Sequence, residues 1–304
     1  MTDLAIGVDI GGSGIKAGAV DLASGSLRGE RLRVATPMPS TPAAVIETTA
    51  RLIRRITRAQ PDAQSASVRV GVGIPSVVID GVTRSAANID PGWVGFPASF
   101  EFRRGLSRGV AIVNDADAAG VAEMRFGAGR DERGVVFVLT LGTGVGSALF
   151  VDGTLVPNTE LGHMEIRGRD AERRSAAAAR IRRGLSWKAW AADLDEHLIA
   201  IDRLFSPRLI ILGGGVSKNP DKFVPYLTVR VPLVPAQLRN DAGIVGAAMF
   251  AAEHGSEDEP ALRPVAVDPT DRPSVVPPAV DTASAAETEA STEPVEPTDP
   301  AGAA

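Results

Sequence analysis

Two short glycine-rich turns constrain this chain more than anything else in it. Asp9-Ile10-Gly11-Gly12-Ser13-Gly14-Ile15-Lys16 lies near the start, and Thr140-Leu141-Gly142-Thr143-Gly144-Val145-Gly146-Ser147 near the middle. Each follows a short apolar run and passes directly into a second alternating one. Ile15-Lys16-Ala17-Gly18-Ala19-Val20 follows the first turn and Ala148-Leu149-Phe150-Val151 the second. Alternation with period two reads as strand. A strand–glycine turn–strand unit leaves backbone N–H groups free at its tip, where they can face an anion. Used twice, it predicts two halves with a polyanion held between them, which points to phosphoryl transfer.

Other uses of the glycines fit less well. Gly12-Ser13-Gly14-Ile15-Lys16-Ala17 formally matches the dinucleotide fingerprint, but that fingerprint opens a helix. Here the alternation runs on to Asp21-Leu22-Ala23-Ser24-Gly25, which reads as a hairpin turn. The P-loop pattern is absent. Two plain hairpins with flexible turns remain the bland alternative.

The chain has 304 residues, enough for one large or two medium domains. It has no Cys, so it has no disulfide, thiolate metal site or cysteine nucleophile. Met1-Thr2-Asp3-Leu4 shows no basic region ahead of an apolar stretch, so no secretory signal is expected. The longest uncharged run, Gly134 to Val151, reads as a buried hairpin and not as a membrane span. Cytoplasm is the expected compartment. The last fifty residues, 255–304, lack aromatics, Ile and Lys and are rich in Pro, Ala, Thr, Ser and Glu. Such a segment is expected to be disordered. It holds eleven acidic residues against Arg263 and Arg272, so the chain's net charge of −5 leaves a body of about +4. A mildly basic body suits an anionic ligand.

Strands are expected at 4–10, 15–20, 27–35, 68–74 and 110–113, with 77–82 part of a further hairpin. The second glycine hairpin should span 134–156, and 209–212 should be a buried strand stopped by Gly213-Gly214-Gly215. Helices are expected over Thr41–Arg58, from Asp115 or Asp117 onward, over 186–204 and from Ala242 to Glu253. Hairpins followed by alternating helices and strands, once per half, argue for two similar α/β lobes with a cleft between them.

Val113-Asn114-Asp115 places an amide and a carboxylate at a strand end, where open α/β folds bind ligands. Asp115 could equally be a helix N-cap, a task that Asp117 could also take. Glu160-Leu161-Gly162-His163 would share one face of a helical turn, and Glu172 follows. Together these side chains could serve the hydroxyls of a polar ligand. Their spacing is poor for zinc, and no Cys supports such a site.

These stretches, in order from residue 4 to about 254, resemble the ROK family of sugar kinases, and within it the polyphosphate-using glucokinases of the actinobacterial type. The resemblance also rests on Ala86-Ala87-Asn88-Ile89-Asp90 with Trp93, Leu155-Val156-Pro157-Asn158-Thr159, Leu185-Ser186-Trp187, Leu212-Gly213-Gly214-Gly215-Val216-Ser217 and Asn240-Asp241-Ala242-Gly243-Ile244-Val245-Gly246. It implies a two-lobed, actin-like (ribonuclease H-like) α/β fold. Residues 1–113 would form a small lobe joined by the helix at about 242–254, and residues 114–241 a large one. The implied activity is transfer of a terminal phosphoryl group from polyphosphate, and from ATP, to the 6-hydroxyl of glucose.

By resemblance, Asp115 is the general base, and Asn88, Asn114, Glu160, His163 and Glu172 hold the sugar together with it. Asp9, Gly11, Gly12, Ser13, Gly14, Ile15 and Lys16, with Thr140, Gly142, Thr143 and Gly144, face the phosphates and their Mg2+. Gly213, Gly214 and Gly215 admit the nucleotide or the polyphosphate chain. A homodimer is implied, with no nucleic acid, membrane or zinc. Many relatives carry a cysteine-rich zinc motif after the Gly-His pair; here Met164 to Glu172 replaces it, as in the polyphosphate-using branch. Ser76 stands after Pro75, where relatives usually have a small residue. Lys16, Arg167, Arg169, Arg173, Arg174 and Arg182 are candidates to line a polyphosphate groove, or else ordinary solubilising charge. A different hexose, or a non-catalytic sugar sensor, stays open. The sensors carry a DNA-binding module for which a first strand at Leu4 leaves no room.

Overall fold

Buried almost throughout, Leu4–Gly11 and Gly14–Asp21 pair antiparallel as the first hairpin, β1 and β2, whose partners close at Gly11 and Gly14 around Gly12-Ser13. The computed structural model describes residues 3–86 and 89–254. Asn88 and the acidic segment 255–304 lie outside the described residues. After the hairpin come β3 (Leu27–Val34), α1 (Pro42–Ala59), β4 (Val70–Ile74), the short β5 (Val78–Ile79) and β6 (Val82–Thr83), α2 (Ala98–Leu106), β7 (Val110–Asn114) and α3 (Asp115–Phe126). The second half runs β8 (Val135–Leu141), β9 (Val145–Val151), β10 (Thr154–Val156), β11 (Glu165–Ile166), β12 (Arg169–Asp170), α4 (Glu172–Ser175), α5 (Ala177–Arg182) and α6 (Trp187–Phe205). It ends with β13 (Leu209–Gly214), β14 (Leu233–Pro235) and α7 (Ala242–His254).

Each half has its own five-stranded sheet, ordered β3-β2-β1-β4-β7 and β10-β9-β8-β13-β14. Both follow one plan: an antiparallel meander whose innermost strand pairs in parallel with the later strands. The glycine stretch after β1 therefore opens a strand, as its alternation predicts, and not the helix of a dinucleotide fold. Parallel pairing sets the ends of β1, β4 and β7 side by side, so Asp9, Ile74 and Asn114 arrive at one edge.

Local chemistry fixes the helix starts. Thr41 caps α1 by accepting the Ala44 N–H, with Pro42 in the first turn, and Ser186 caps α6 by accepting that of Ala189. For α3 neither aspartate is the cap. Asn114 is, its Oδ1 accepting the N–H groups of Ala116 at 2.8 Å and Asp117 at 3.1 Å. The amide outcompetes both aspartates because it occupies the last non-helical position, and they already lie inside the helix.

The strand expected from Val68 begins at Val70, and the 77–82 segment splits into β5 and β6. The apolar core of the first half gathers Ile6, Val72, Phe102 and Trp93, and that of the second Phe137, Trp190 and Phe223. Apolar on nearly every face, α7 is buried against β1, β4 and α3. Missing side chains permit that approach: a Cβ on Gly71 would lie 1.7 Å from Ala247 O, and one on Gly246 1.6 Å from Ala118 O. Backbone thus meets backbone where the closing helix crosses the sheet and α3.

Candidate active site

Asn114 ends β7 and Asp115 opens α3, so the strand-to-helix turn aims both side chains at the cleft. With Oδ1 committed to the cap, Asn114 donates one amide hydrogen to Ser76 O at 3.2 Å and keeps a second for a ligand. Ser76, 2% exposed, holds the 76–85 segment through its Oγ bond to Ser85 O. The residue after Pro75 is therefore a structural hydroxyl.

Two cavities meet at this turn. One, of about 590 Å³, is lined by Asn114, Asp115, Glu160, His163 and Glu172, with Gly11, Gly12, Ser13, Thr140, Gly142, Thr143 and Gly144 at its other end. The second, of about 310 Å³, is lined by Asp9, Lys16, Gly213, Gly214 and Gly215 and by Lys218, Arg239 and Asn240. Asp115 is the carboxylate that lines both.

Burial raises the Asp115 carboxyl to about 7, helped by the negative charges of Asp9 and Glu160 and opposed by its hydrogen bond from Ala116 N–H. A carboxyl poised there can accept a proton near neutrality. Burial also raises Glu160, with the charge of Glu172 adding and His163 opposing. Glu160 and His163 flank a single 3-10 turn, Leu161–His163, and share one cavity wall as the spacing predicts. His163 Nδ1 sits 3.6 Å from Asp170 Oδ2. Glu172 opens α4 and accepts the Val145 N–H at 3.0 Å, which pins the second glycine turn against the cavity wall.

Two positions singled out for phosphates lie elsewhere. The Ile15 side chain is fully buried in the first core, because alternation after the turn points it inward. Gly14 faces the Arg33 guanidinium and lines neither cavity. Nor does the arginine group line either one. Arg167 pairs with Glu196 and Arg174 with Asp193 and Glu196, while Arg173 lies 3.8 Å from Asp170 and Arg182 donates to Arg173 O. Arg169, on β12, is exposed and absent from both walls. Among these candidate cations Lys16 alone reaches the cleft.

Lys218 and Arg239 escaped sequence reading, and Asn240 entered it only within a family motif. They flank Gly213-Gly214-Gly215 and the start of α7, so proximity to those motifs was the available signal. Asp117 also escaped. Only 1% exposed, it accepts the Asn158 N–H at 2.8 Å through Oδ2, while Oδ1 has no hydrogen-bond partner.

The residues present suit a cation that arrives with phosphates. Among the described residues no cluster of three His, Asp or Glu side chains could hold a metal alone. Mg2+ is bound through one or two carboxylates plus phosphate oxygens and water. Asp9, on the wall of the second cavity, has Oδ2 engaged by Lys16 and leaves Oδ1 for such a ligand.

Two similar α/β halves, a glycine hairpin at the tip of each and a carboxylate at the junction of two cavities define a two-lobed sugar kinase of the actin-like class. The chain belongs to the ROK family, whose pattern it matches over residues 5–179. It is 47% identical over 244 residues to the polyphosphate glucokinase of Mycobacterium tuberculosis strain CDC 1551 / Oshkosh, covering 80% of this chain and 89% of that one. The crystal structure of inorganic polyphosphate/ATP-glucomannokinase from Arthrobacter sp. strain KM superposes with a TM-score of 0.80 at 50% identity, over 83% of this chain and 99% of that one. A ROK glucokinase from Streptomyces griseus in complex with glucose and AMPPNP gives 0.70 at 26% identity, over 82% and 99%.

Proposed function

We propose that this chain transfers the terminal phosphoryl group of inorganic polyphosphate, and of ATP, to the 6-hydroxyl of glucose, with Asp115 as general base. The polyphosphate-dependent phosphorylation of glucose is supported by the similarity to polyphosphate glucokinases and to the glucomannokinase. The assignment of roles rests on one observation: Asp115 faces both cavities, so acceptor and donor would meet at its carboxyl.

In this reading Glu160, His163, Glu172, the free amide hydrogen of Asn114 and Asn88 grip the sugar hydroxyls. Asp115 takes the proton of the 6-hydroxyl as that oxygen attacks the terminal phosphorus. The bond from phosphorus to the bridging oxygen breaks, and the shortened polyphosphate, or ADP, leaves with the bridging oxygen's electron pair. The reaction depends chiefly on alignment and charge neutralisation. The backbone N–H groups of Gly12, Ser13, Thr143 and Gly144, with Lys16, meet the phosphate oxygens. Mg2+, when bound with the phosphates near Asp9, supplies neutralising charge. Lys218 and Arg239, which have no acidic partner among the described residues, add positive charge in the second cavity, which in this reading is the donor cavity.

The test is glucose 6-phosphate formation from glucose and Mg2+ with polyphosphate or ATP as sole donor, in wild type and in Asp115→Asn. Turnover should appear with polyphosphate and fall ~10²–10⁴-fold in the variant while glucose affinity stays within a few-fold. Near-normal turnover in Asp115→Asn would remove it from the mechanism.

A further inference from the structure

Asn158 has a backbone and a side chain that make three hydrogen bonds to distant parts of the chain. Its Nδ2 donates to Val78 O at 2.9 Å and its Oδ1 accepts the Val78 N–H at 2.8 Å. Both backbone groups of one residue on β5 are thereby held by a single amide. The Asn158 N–H meanwhile donates to Asp117 Oδ2 on the first turn of α3. The residue sits in the left-handed region, with φ of 61°, which asparagine tolerates better than most side chains.

The elements joined are not neighbours in the fold. Val78 packs against the core of the first half, whereas Leu161, three residues after Asn158, packs against that of the second. The intervening residues are tied to the second half alone. Ser147 Oγ on β9 donates to Thr159 O at 2.6 Å, and Leu161 N–H donates back to Ser147 Oγ at 3.0 Å. Glu160 lies between these anchors and lines the cavity, and Ser85, on the segment that Val78 belongs to, lines the same cavity. Among the described residues, Asn158 thus links two of its walls directly.

We infer that Asn158 is a positioning residue for the sugar: an interlobe clasp that holds Glu160 and the 76–85 segment at their working separation before the sugar enters. The inference rests on the reading of this cavity as the sugar site. Without the clasp, part of the sugar's binding energy goes into drawing the walls together, and the apparent affinity falls by the fraction of molecules already in register. Glu160 and Ser85, the wall residues that the clasp holds, do not line the donor cavity, so the effect should fall on the sugar and not on the donor.

The experiment is steady-state kinetics of wild type, Asn158→Gly and Asn158→Asp, varying glucose and donor separately, with thermal unfolding and amide hydrogen exchange alongside. Glycine keeps the left-handed backbone and removes only the clasping amide. Asp retains the acceptor for Val78 N–H but sets a carboxylate oxygen against Val78 O. Asn158→Gly should raise the glucose KM about tenfold, the scale of losing two partly buried hydrogen bonds. Its kcat should change much less, its donor KM should hold, and Val78 N–H should lose exchange protection. Asn158→Asp should raise the glucose KM as well. An active wild type with an unchanged glucose KM in Asn158→Gly overturns the inference. So does a variant in which kcat and both KM values shift together with a lowered Tm, the pattern of plain structural damage. A wild type inactive on glucose overturns the parent reading, and this one with it.

Discussion

Asp9 and Lys16 stand opposite one another in the register of the first hairpin, and Lys16 Nζ lies 2.7 Å from Asp9 Oδ2. Both residues line the second cavity, so a cation two residues past the glycine turn is oriented by a carboxylate of the preceding strand. With both side chains partly accessible, the pair adds little to stability. In the proposed reaction it aims an ammonium at incoming phosphate. Lys16→Met should raise the donor KM about tenfold or more, the scale of a charge-assisted hydrogen bond, and leave the glucose KM within about twofold. Titrating each substrate against the variant checks this.

Catalysis should show an acid limb near pH 7. The base works ionised, and Asp115 is raised to about 7 by burial and by the charges of Asp9 and Glu160. Asp117, also raised to about 7, chiefly by burial, titrates beside it. Glu160→Gln removes one of the charges that raises Asp115, so the limb of kcat/KM should move to lower pH even as glucose binding weakens. A pH profile from 5 to 9 on both proteins decides it; an unmoved limb would mean that another group controls the rate.

The same shift makes a stability prediction. Asp115 binds its proton more tightly in the folded protein, at about 7, than at its ordinary value of 3.8. Between those values the folded state holds more protons than the unfolded one, so stability falls as pH rises through that interval. Asp115→Asn removes the cost of ionising a buried carboxyl. The variant should gain Tm over wild type at pH 8.5 and gain little at pH 4, as read by thermal unfolding.

Close backbone contact at α7 predicts two opposite outcomes for glycine replacement. A Cβ on Gly246 would lie 1.6 Å from Ala118 O, a contact that only backbone movement relieves, whereas one on Gly215 meets nothing within 4 Å. Gly246→Ala should lose ~3 kcal/mol or fail to fold, at or beyond the upper end of ordinary overpacking. Gly215→Ala should keep the wild-type Tm, and because Gly215 lines the donor cavity its effect should fall on the donor KM. Denaturant unfolding and donor kinetics separate the two.

Much of the architecture is local and so was readable in advance. Short apolar runs marked β1 and β8, alternation after the glycine turns marked β2 and β9, and the helix expected from Thr41 starts within a residue of the observed α1. Glu160, His163 and Glu172 share a wall because one short turn and one short helix start carry them. Local spacing failed where two residue types compete for one task, as at the start of α3, where Asn114 takes the cap that either aspartate could have taken. It failed again for Arg167 and Arg174, whose partners Glu196 and Asp193 lie on a helix further along the chain.

The sequence alone determined the strand hairpins, the helix starts and the order of the site motifs, because each depends on interactions within a few residues. The tertiary structure decided which aspartate faces two cavities, how far burial lifts its pKa, and which cations reach the donor path. It also brought Asn158 to Val78, eighty positions away in the chain. Desolvation and long-range hydrogen bonding depend on what the remainder of the chain brings alongside a residue, and no local pattern encodes that.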